Sequence, residues 1–375
     1  MTVAAAPLFV LAAGGTGGHL FPAQALSALL VERGAGVHLA TDRRGDAFAA
    51  AMPGVGISQI GAGRFDRGAI RSVHGLAEMA LGIFQARRLL RRLMPAAVVG
   101  FGGYASVPTV LAAAQLGLPT MIHEQNAVLG RANRLLARRI GRIATGFADT
   151  AGLRPAERAR AVYTGNPVRP AIRDAAAVPY RPSVAGEAIE LLVLGGSQGA
   201  RIFADLVPPA LASLPADLRS TLRVSQQARP EDCARVSAQF AASGIAAEVR
   251  SFFDDVPERL ARAQLAICRA GASTVAELAA VGRPALLVPY PHAAADHQTA
   301  NARAFAAAGA GWAIAQSTLT EERLAGLLAE RLADAAGLAE AAARARSFAR
   351  PDAAERLAAL ALALASRVGK RELAA

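Results

Sequence analysis

Two glycine-rich loops, each directly behind a short apolar run, constrain the fold of this chain more than any other feature. The first run, residues 8–13, leads into the loop 14–19, and the second run, residues 191–194, leads into the loop 195–201. Both runs have the length and apolar character of a buried parallel strand, and the residues after each loop are typical of a helix. We therefore predict an α/β chain with two Rossmann-like domains whose parallel sheets face each other across a cleft.

The two loops predict a ligand that contains phosphate. Glycines let backbone N–H groups approach a ligand closely, and a helix start stabilises an anion by roughly 0.3–1 kcal/mol. The spacing disfavours a dinucleotide fingerprint, whose third glycine would fall on Leu20, and a Walker loop, since the only lysine is Lys370, so both become minor alternatives. The alternative is that the glycines only close tight turns, but two loops in matching positions favour a ligand.

Length and composition agree with two cytosolic domains. A chain of 375 residues can form two cores, and its 53% hydrophobic content comes with only 5% aromatic residues. No segment is predicted to span a membrane, and the N-terminus is predicted to be a core strand rather than a signal peptide. Cys233 and Cys268 fit neither a disulfide nor a metal-site spacing, so a reducing cytosol is the default expectation.

The net charge of +12 indicates an anionic partner. Nearly all of the positive charge is arginine, which codon composition can also produce. A basic surface attracts nucleic acid, acidic lipid or a phosphorylated substrate. We predict no nucleic-acid partner, because aromatic residues are scarce and no known nucleic-acid-binding module is present.

The most uneven charge lies in the segment 64–93, where residues from Ile70 onward are predicted to form a helix. One apolar stripe at helical spacing suits packing on a sheet: Met79, Ile83, Ala86, Leu90 and Leu93. A second apolar set lies off that stripe: Leu76, Leu81 and Phe84. Arginines surround both sets: Arg64, Arg67, Arg71, Arg87, Arg88, Arg91 and Arg92. This pattern predicts contact with an anionic membrane. Each basic residue near the surface contributes about 1 kcal/mol to the free energy of membrane binding. The alternative is ordinary core beside a solvated face.

Several polar residues follow further predicted strands. The turn Gly102-Gly103-Tyr104 ends one strand, and the segment 123–126 ends the next. Because the carboxyl ends of parallel strands line the ligand crevice, these residues are expected to lie together, namely His19, Tyr104, His123, Glu124 and Asn126. Proline and glycine between 165 and 187 predict a linker.

A helix start in the second half offers a nucleotide site. Ser273 and Thr274 occupy the predicted first turn, where hydroxyls and backbone N–H groups can receive a phosphate or simply cap the helix. Glu277 lies four residues after Ser273 and therefore on the same face. Its carboxylate could accept both hydroxyls of a ribose.

These residues together resemble the MurG family, the peptidoglycan N-acetylglucosaminyltransferases with the GT-B fold in glycosyltransferase family 28. The resemblance covers essentially the whole chain and is carried by the following segments: 14–19, 102–104, 123–126, 165–169, 195–201, 271–277, and Gln298 with Asn301. It implies transfer of GlcNAc from UDP-GlcNAc to lipid I, undecaprenyl-pyrophosphoryl-MurNAc-pentapeptide, which gives lipid II. It also implies a peripheral location on the cytoplasmic face of the inner membrane, with anionic phospholipid and other cell-wall synthesis proteins as further partners.

The resemblance also implies roles for individual residues. In the C-terminal domain, the backbone near Phe253 would meet uracil, Glu277 the ribose, and Gln298 the sugar. The diphosphate would lie on Ser197 and the helix start formed by Ala272, Ser273, Thr274, Val275 and Ala276. The N-terminal domain would complete the donor pocket with Thr16, Gly17, Gly18, Asn126 and Arg169. The acceptor pyrophosphate would be held by Gly14, Gly15, Gly102, Gly103 and Tyr104.

The reaction implied is an inverting displacement. The MurNAc 4-hydroxyl attacks the anomeric carbon, and UDP leaves from the opposite face. His19 is the leading candidate for the base and Glu124 the second, while a purely phosphate-binding role for His19 stays open. No Asp-x-Asp motif is present, so we expect no metal and no cofactor, with helix starts and arginine stabilising the leaving diphosphate.

The domain boundaries are predicted at 1–164, 165–187, 188–345 and 346–375, with the last segment crossing back to the N-terminal domain. Two functional alternatives remain at this point. One is a UDP-GlcNAc 2-epimerase of similar architecture, and the other is a non-enzymatic membrane-associated scaffold.

Overall fold

The computed structural model describes residues 6–14, 17–43, 52–63, 69–184, 186–196 and 199–372. It divides the chain into an N-terminal unit, residues 1–169 with 350–375, and a C-terminal unit, residues 170–349. Both units are α/β, as predicted. The segment 170–187, predicted as linker, belongs to the C-terminal unit, and its first residues form a helix.

The N-terminal unit contains a seven-stranded parallel sheet in the order β3-β2-β1-β4-β5-β6-β7. Its strands are β1 Leu8–Ala12, β2 Gly36–Thr41, β3 Gly56–Gln59, β4 Ala97–Gly100, β5 Thr120–Glu124, β6 Arg142–Thr145 and β7 Ala161–Tyr163. Its helices are α1 Gly17–Glu32, α2 Ala69–Leu93, α3 Val107–Gln115, α4 Arg131–Leu136, α5 Pro155–Arg158 and, from the chain end, α15 Ala353–Glu372. The predicted first strand is confirmed, and it pairs with β2 and β4 on its two sides.

Helices cover both faces of this sheet. On one face α1 and α15 pack together, with Leu357 and Ala358 fully buried. On the other face lie α2, α3 and α4. The predicted packing stripe of α2 is confirmed, because Met79, Ala86 and Leu90 are buried.

The C-terminal unit contains a six-stranded parallel sheet in the order β10-β9-β8-β11-β12-β13. Its strands are β8 Ile189–Leu194, β9 Leu222–Gln227, β10 Ala246–Arg250, β11 Leu265–Cys268, β12 Ala285–Leu287 and β13 Gly311–Ala313. Its helices are α6 Pro170–Ala175, α7 Arg201–Ala212, α8 Ala216–Thr221, α9 Pro230–Ala242, α10 Val256–Arg262, α11 Ala272–Val281, α12 His297–Ala307, α13 Glu321–Ala333 and α14 Ala335–Phe348. The second predicted strand is therefore confirmed as β8.

Among the described helices, none combines the length and apolar character needed to cross a bilayer.

Candidate functional site

The two glycine turns of the N-terminal unit touch each other at the carboxyl edge of its sheet. A Cβ added to Gly14 would lie 2.6 Å from Ala105 Cβ, and one added to Gly103 would lie 3.4 Å from the Gly14 carbonyl oxygen. Gly102 and Gly103 have φ of 84° and 70°, a conformation that favours glycine. A larger side chain at any of these positions would push the loops apart. Gly15 and Thr16 lie outside the described residues.

The His19 imidazole lies against the second of these turns. His19 is half-buried in the first turn of α1. A Cβ on Gly102 would lie 3.3 Å from His19 Cδ2, and one on Gly103 would lie 3.7 Å from His19 Cε1. Tyr104, the next residue, is 37% exposed. The structure thus brings His19, Gly102, Gly103 and Tyr104 together, as expected from the sequence.

The Glu124 carboxylate is enclosed by hydrogen-bond donors at the end of β5. Its Oε1 accepts from the backbone N–H and side-chain Nδ2 of Asn126, both at 3.0 Å. Its Oε2 accepts from the Gly130 N–H at 2.9 Å and from Asn133 Nδ2 at 2.8 Å. The residue is 1% exposed. Since a general base needs an accessible lone pair, this geometry disfavours Glu124 in that role.

Asn126 and Arg169 are held by neighbours in the same unit. The two bonds to Glu124 Oε1 fix both the backbone and the side chain of Asn126, which is half-buried. The Arg169 guanidinium lies 4.9 Å from the centre of the Phe21 ring in α1. A Cβ on Gly17 would come within 2.9 Å of that ring. Arg169 therefore lies beside the start of α1, near half-buried Gly18.

His123 is a buried neutral histidine. Its Nε2 donates to the Gly165 carbonyl at 3.1 Å, and its Nδ1 accepts from Gln125 Nε2 at 3.1 Å. Burial lowers the pKa of His123 from 6.5 to about 4, and the bond to Gly165 offsets only part of that effect. His123 therefore ties β5 to the segment that begins at Gly165, and its protonated form is disfavoured.

Asn133 is a site residue that the sequence reasoning missed. It is 2% exposed, and its Nδ2 donates to the His123 carbonyl as well as to Glu124. A Cβ on Gly102 would lie 3.3 Å from this Nδ2, while Asn133 Oδ1 is buried and accepts no hydrogen bond from any described residue. The only signal in the sequence was an amide in the short helix α4. Because asparagine is common on exposed helix faces, that signal is weak.

The glycine loop of the C-terminal unit is tightly folded between β8 and α7. Gly196 and Gly199 have φ of 81° and 67°, and a Cβ on Gly195 would lie 2.4 Å from the Ala200 nitrogen. No side chain of a described residue caps the start of α7. Uncapped N–H groups at a helix start are a binding site for anions. Ser197 lies outside the described residues.

The start of α11 offers a second set of uncapped N–H groups. The residue before it, Gly271, has no side chain to cap the helix. Ser273 and Thr274 are half-buried, as are Ala276 and Glu277 one turn deeper. Ala272 and Val275 are buried at 8% and 1% exposure, so they can offer a ligand only backbone groups.

Gln298 joins the carboxyl ends of β11 and β12. Its Oε1 accepts from the Ala270 N–H at 3.2 Å and from the Tyr290 N–H at 2.9 Å. No described residue accepts a hydrogen bond from its Nε2. The side-chain oxygen therefore positions Gln298, and the amide nitrogen remains as its donor for a ligand.

Arg269, which the sequence reasoning also missed, fixes the same edge. Its guanidinium donates to the carbonyls of Val288 and Pro289 and to Gln316 Oε1. It also lies 5.5 Å from the centre of the Tyr290 ring. Burial lowers the pKa of Arg269, with partial compensation from Tyr290. No sequence signal separated this arginine from the many on the surface.

The segment around Phe253 presents backbone rather than side chain. Phe253 is 3% exposed, and the Arg259 guanidinium lies 4.1 Å from the centre of its ring. No described residue accepts a hydrogen bond from the Phe253 N–H. This agrees with a backbone contact at Phe253. Within the described part of the chain, no cluster of three His, Cys, Asp or Glu side chains could hold a metal ion.

Comparison with known proteins gives a consistent result for both units. The glycosyltransferase family 28 N-terminal domain matches residues 9–145, and the family's C-terminal domain matches residues 190–357. A UDP-N-acetylglucosamine–N-acetylmuramyl-(pentapeptide) pyrophosphoryl-undecaprenol N-acetylglucosamine transferase from Rhodospirillum centenum is 54% identical over 349 residues, 93% of this chain and 92% of that protein.

Solved structures agree in fold. The crystal structure of Acinetobacter baumannii MurG is similar with a TM-score of 0.79 and 32% identity, covering 95% of this chain and 99% of that one. The structure of a putative UDP-N-acetylglucosamine 2-epimerase from Listeria monocytogenes is similar with a TM-score of 0.67 but only 13% identity. The match covers 94% of this chain and 95% of that one. The second likeness shows the shared fold alone.

Stability should depend on pH through His123. The unfolded chain binds a proton near pH 6.5 and the folded protein only near pH 4, so folding stability is lost as pH falls through this window. The loss attributable to His123 is about 3 kcal/mol at the lower end. His123→Asn keeps a donor and an acceptor but cannot titrate. Its free energy of unfolding, measured by chemical denaturation at several pH values in this window, should therefore change less steeply with pH than that of the wild type. An unchanged slope would contradict the assignment.

Proposed function

Because the chain belongs to glycosyltransferase family 28, we propose that it transfers GlcNAc from UDP-GlcNAc to lipid I and forms lipid II in peptidoglycan synthesis. The observation that carries this proposal is the 54% identity to a transferase of that name over 93% of the chain. The arrangement of each unit adds support for the roles of individual residues.

The C-terminal unit is proposed to hold UDP-GlcNAc. The diphosphate binds to uncapped N–H groups at the starts of α7 and α11, together with the hydroxyls of Ser197, Ser273 and Thr274. The Glu277 carboxylate accepts hydrogen bonds from the ribose hydroxyls, and the Phe253 backbone contacts uracil. The sugar receives a hydrogen bond from Gln298 Nε2, since Oε1 is already bonded to backbone.

The N-terminal unit is proposed to hold the acceptor. Its two touching glycine turns bind the pyrophosphate of lipid I, and Tyr104 lies beside them. His19 removes the proton of the MurNAc 4-hydroxyl as that oxygen attacks the anomeric carbon, and UDP leaves from the opposite face. The product is then β-linked. Donor contacts expected of Thr16, Gly17, Gly18, Asn126 and Arg169 are part of the same proposal.

Helix starts and guanidinium groups are proposed to stabilise the leaving diphosphate. Preorganised N–H groups aimed at developing negative charge lower the barrier without rearranging during the reaction. Under this proposal, stabilising the leaving diphosphate requires no metal ion, and the sequence lacks the Asp-x-Asp motif that would hold one.

The protein is proposed to bind the cytoplasmic face of the inner membrane through α2. Leu76, Leu81 and Phe84 are 57%, 54% and 64% exposed and lie off the buried stripe of α2. Arg88, Arg91 and Arg92 are exposed on the same helix, whereas Arg87 donates to Gln115. Arg64 and Arg67 lie outside the described residues. Apolar side chains among exposed arginines suit an anionic phospholipid surface.

The purified protein should form disaccharide product from labelled UDP-GlcNAc and a short-chain lipid I analogue. The amount of product with EDTA should equal the amount without it. The physical reason is that N–H and guanidinium groups replace the metal at the leaving group.

Glu277→Ala should bind UDP more weakly by calorimetry and transfer more slowly, because the ribose contact is lost. No product despite UDP binding would refute the proposed acceptor, and unchanged UDP affinity of Glu277→Ala would refute the ribose contact.

His19→Gln should lower kcat by roughly 10²–10⁴-fold, the usual contribution of a positioned base, with little change in melting temperature. Glu124→Gln should instead lower the melting temperature and raise the KM, because an amide –NH₂ would face two of the four N–H donors now bound to the carboxylate. Steady-state kinetics with thermal melts of both variants separates the roles. A loss of kcat in Glu124→Gln at unchanged melting temperature and KM would identify Glu124 as the base.

Phe84→Asp with Arg88→Glu should reduce co-sedimentation with anionic liposomes by about tenfold or more, because an apolar contact and a cation are replaced by anions. Transfer to a short-chain soluble acceptor should be unchanged. Val178→Asp with Arg181→Glu makes the same charge change at exposed residues of the C-terminal unit and serves as the control. Equal sedimentation of the α2 variant and this control would exclude the proposed membrane contact.

A further inference from the structure

The outer edge of the C-terminal sheet carries unused backbone groups. Strand β13 pairs with β12 on one side only. The Ile314 N–H donates to the Leu287 carbonyl in β12 at 2.9 Å. Since alternate residues of a parallel strand bond to opposite sides, the Ala313 N–H and C=O point away from β12. No strand in the described part of the chain pairs with them.

A groove of about 580 Å³ lies along this edge, between α12 and α14 on one wall and α13 on the other. Its floor consists largely of small residues, including Gly309, Gly311 and Ala313. A Cβ on Gly311 would lie 2.2 Å from the Ala285 carbonyl oxygen, and one on Gly309 would lie 2.6 Å from Arg344 Cδ. Glycine at these two positions lets the chain lie close to β12 and to Arg344, and Ala313, which is exposed and carries only a methyl group, leaves the strand edge accessible.

The walls of the groove are basic. Arg303, Arg323 and Arg344 line it and are exposed. The one acidic residue among the lining residues, Glu340, pairs with Arg344 at 2.6 Å. Arg303 makes no ion pair with any described residue. The groove therefore has a net positive charge, and an anionic occupant would complement it.

An aromatic residue also lines the groove. Trp312 in β13 is half-buried, and the Arg331 guanidinium covers its ring at 4.7 Å from the centre. The residues assigned to UDP-GlcNAc do not line this groove.

We propose that this groove docks an extended acidic segment of a partner protein. The segment adds a strand to β13 through the N–H and C=O of Ala313, and its carboxylates bind Arg303, Arg323 and Arg344. Strand addition explains why the edge and the arginines lie together, whereas a small anion would use the arginines but leave the backbone groups unpaired. Docking here is independent of the transfer reaction.

Trp312 is the only tryptophan in the chain, so its fluorescence reports directly on the groove. The probe is a short blocked peptide of alternating glutamate and valine, and the matched control alternates lysine and valine. Inorganic phosphate, UDP and anionic vesicles form the remaining arms. The acidic peptide should change the Trp312 emission with saturation, and the other arms should not. Equal responses to both peptides, or a response to phosphate, UDP or vesicles alone, would overturn the proposal.

Two pairs of variants separate charge from backbone pairing. Arg303→Glu should weaken acidic-peptide binding by about tenfold, and Arg181→Glu, outside the groove, should leave it unchanged. Ala313→Pro removes the outward N–H and should abolish binding, while Ala313→Val keeps the N–H and should retain most of it. Transfer activity serves as the folding check for all four variants, because the three substituted residues lie outside the assigned donor residues. Wild-type affinity in Arg303→Glu, or in a folded Ala313→Pro, would refute strand addition.

Discussion

Parallel strand pairing is the constraint on which both candidate sites depend. Every strand of each sheet runs in the same direction as its neighbours, so all the carboxyl ends of a sheet emerge at one edge. Residues far apart in sequence, such as Gly14 and Gly103, meet there as a consequence. The glycines are required because the turns touch one another.

A buried polar cluster holds this edge in the N-terminal unit. Glu124 accepts four hydrogen bonds, and His123 and Asn133 extend the cluster to the Gly165 segment and toward Gly102. Buried polar groups are costly when unpaired, so removing one member destabilises the others. This explains how Glu124, a carboxylate close to the proposed chemistry, can act by positioning its neighbours rather than by accepting a proton.

Arginine serves a structural role in the C-terminal unit. Arg283 is 1% exposed, and its guanidinium donates to the carbonyls of Leu260, Ala261, Gly282 and Val178. Burial, with repulsion from Arg346, lowers the pKa of Arg283 to about 10. Helix carbonyl ends thus take the place of a counter-ion. Part of the net charge that suggested a basic surface therefore lies inside the protein, satisfied by backbone oxygens.

The sequence by itself determined the local elements: strands β1 and β8, the glycine loops that follow them, the buried stripe of α2 and the helix start at Gly271. These follow from periodicity and from glycine, which act over a few neighbouring residues. Only the tertiary structure decided which polar residues are enclosed and which stay accessible. Asn133 and Arg269 became site residues, Glu124 lost its accessible lone pairs and Trp312 came to line a basic groove, because each outcome depends on contacts between segments far apart in the chain.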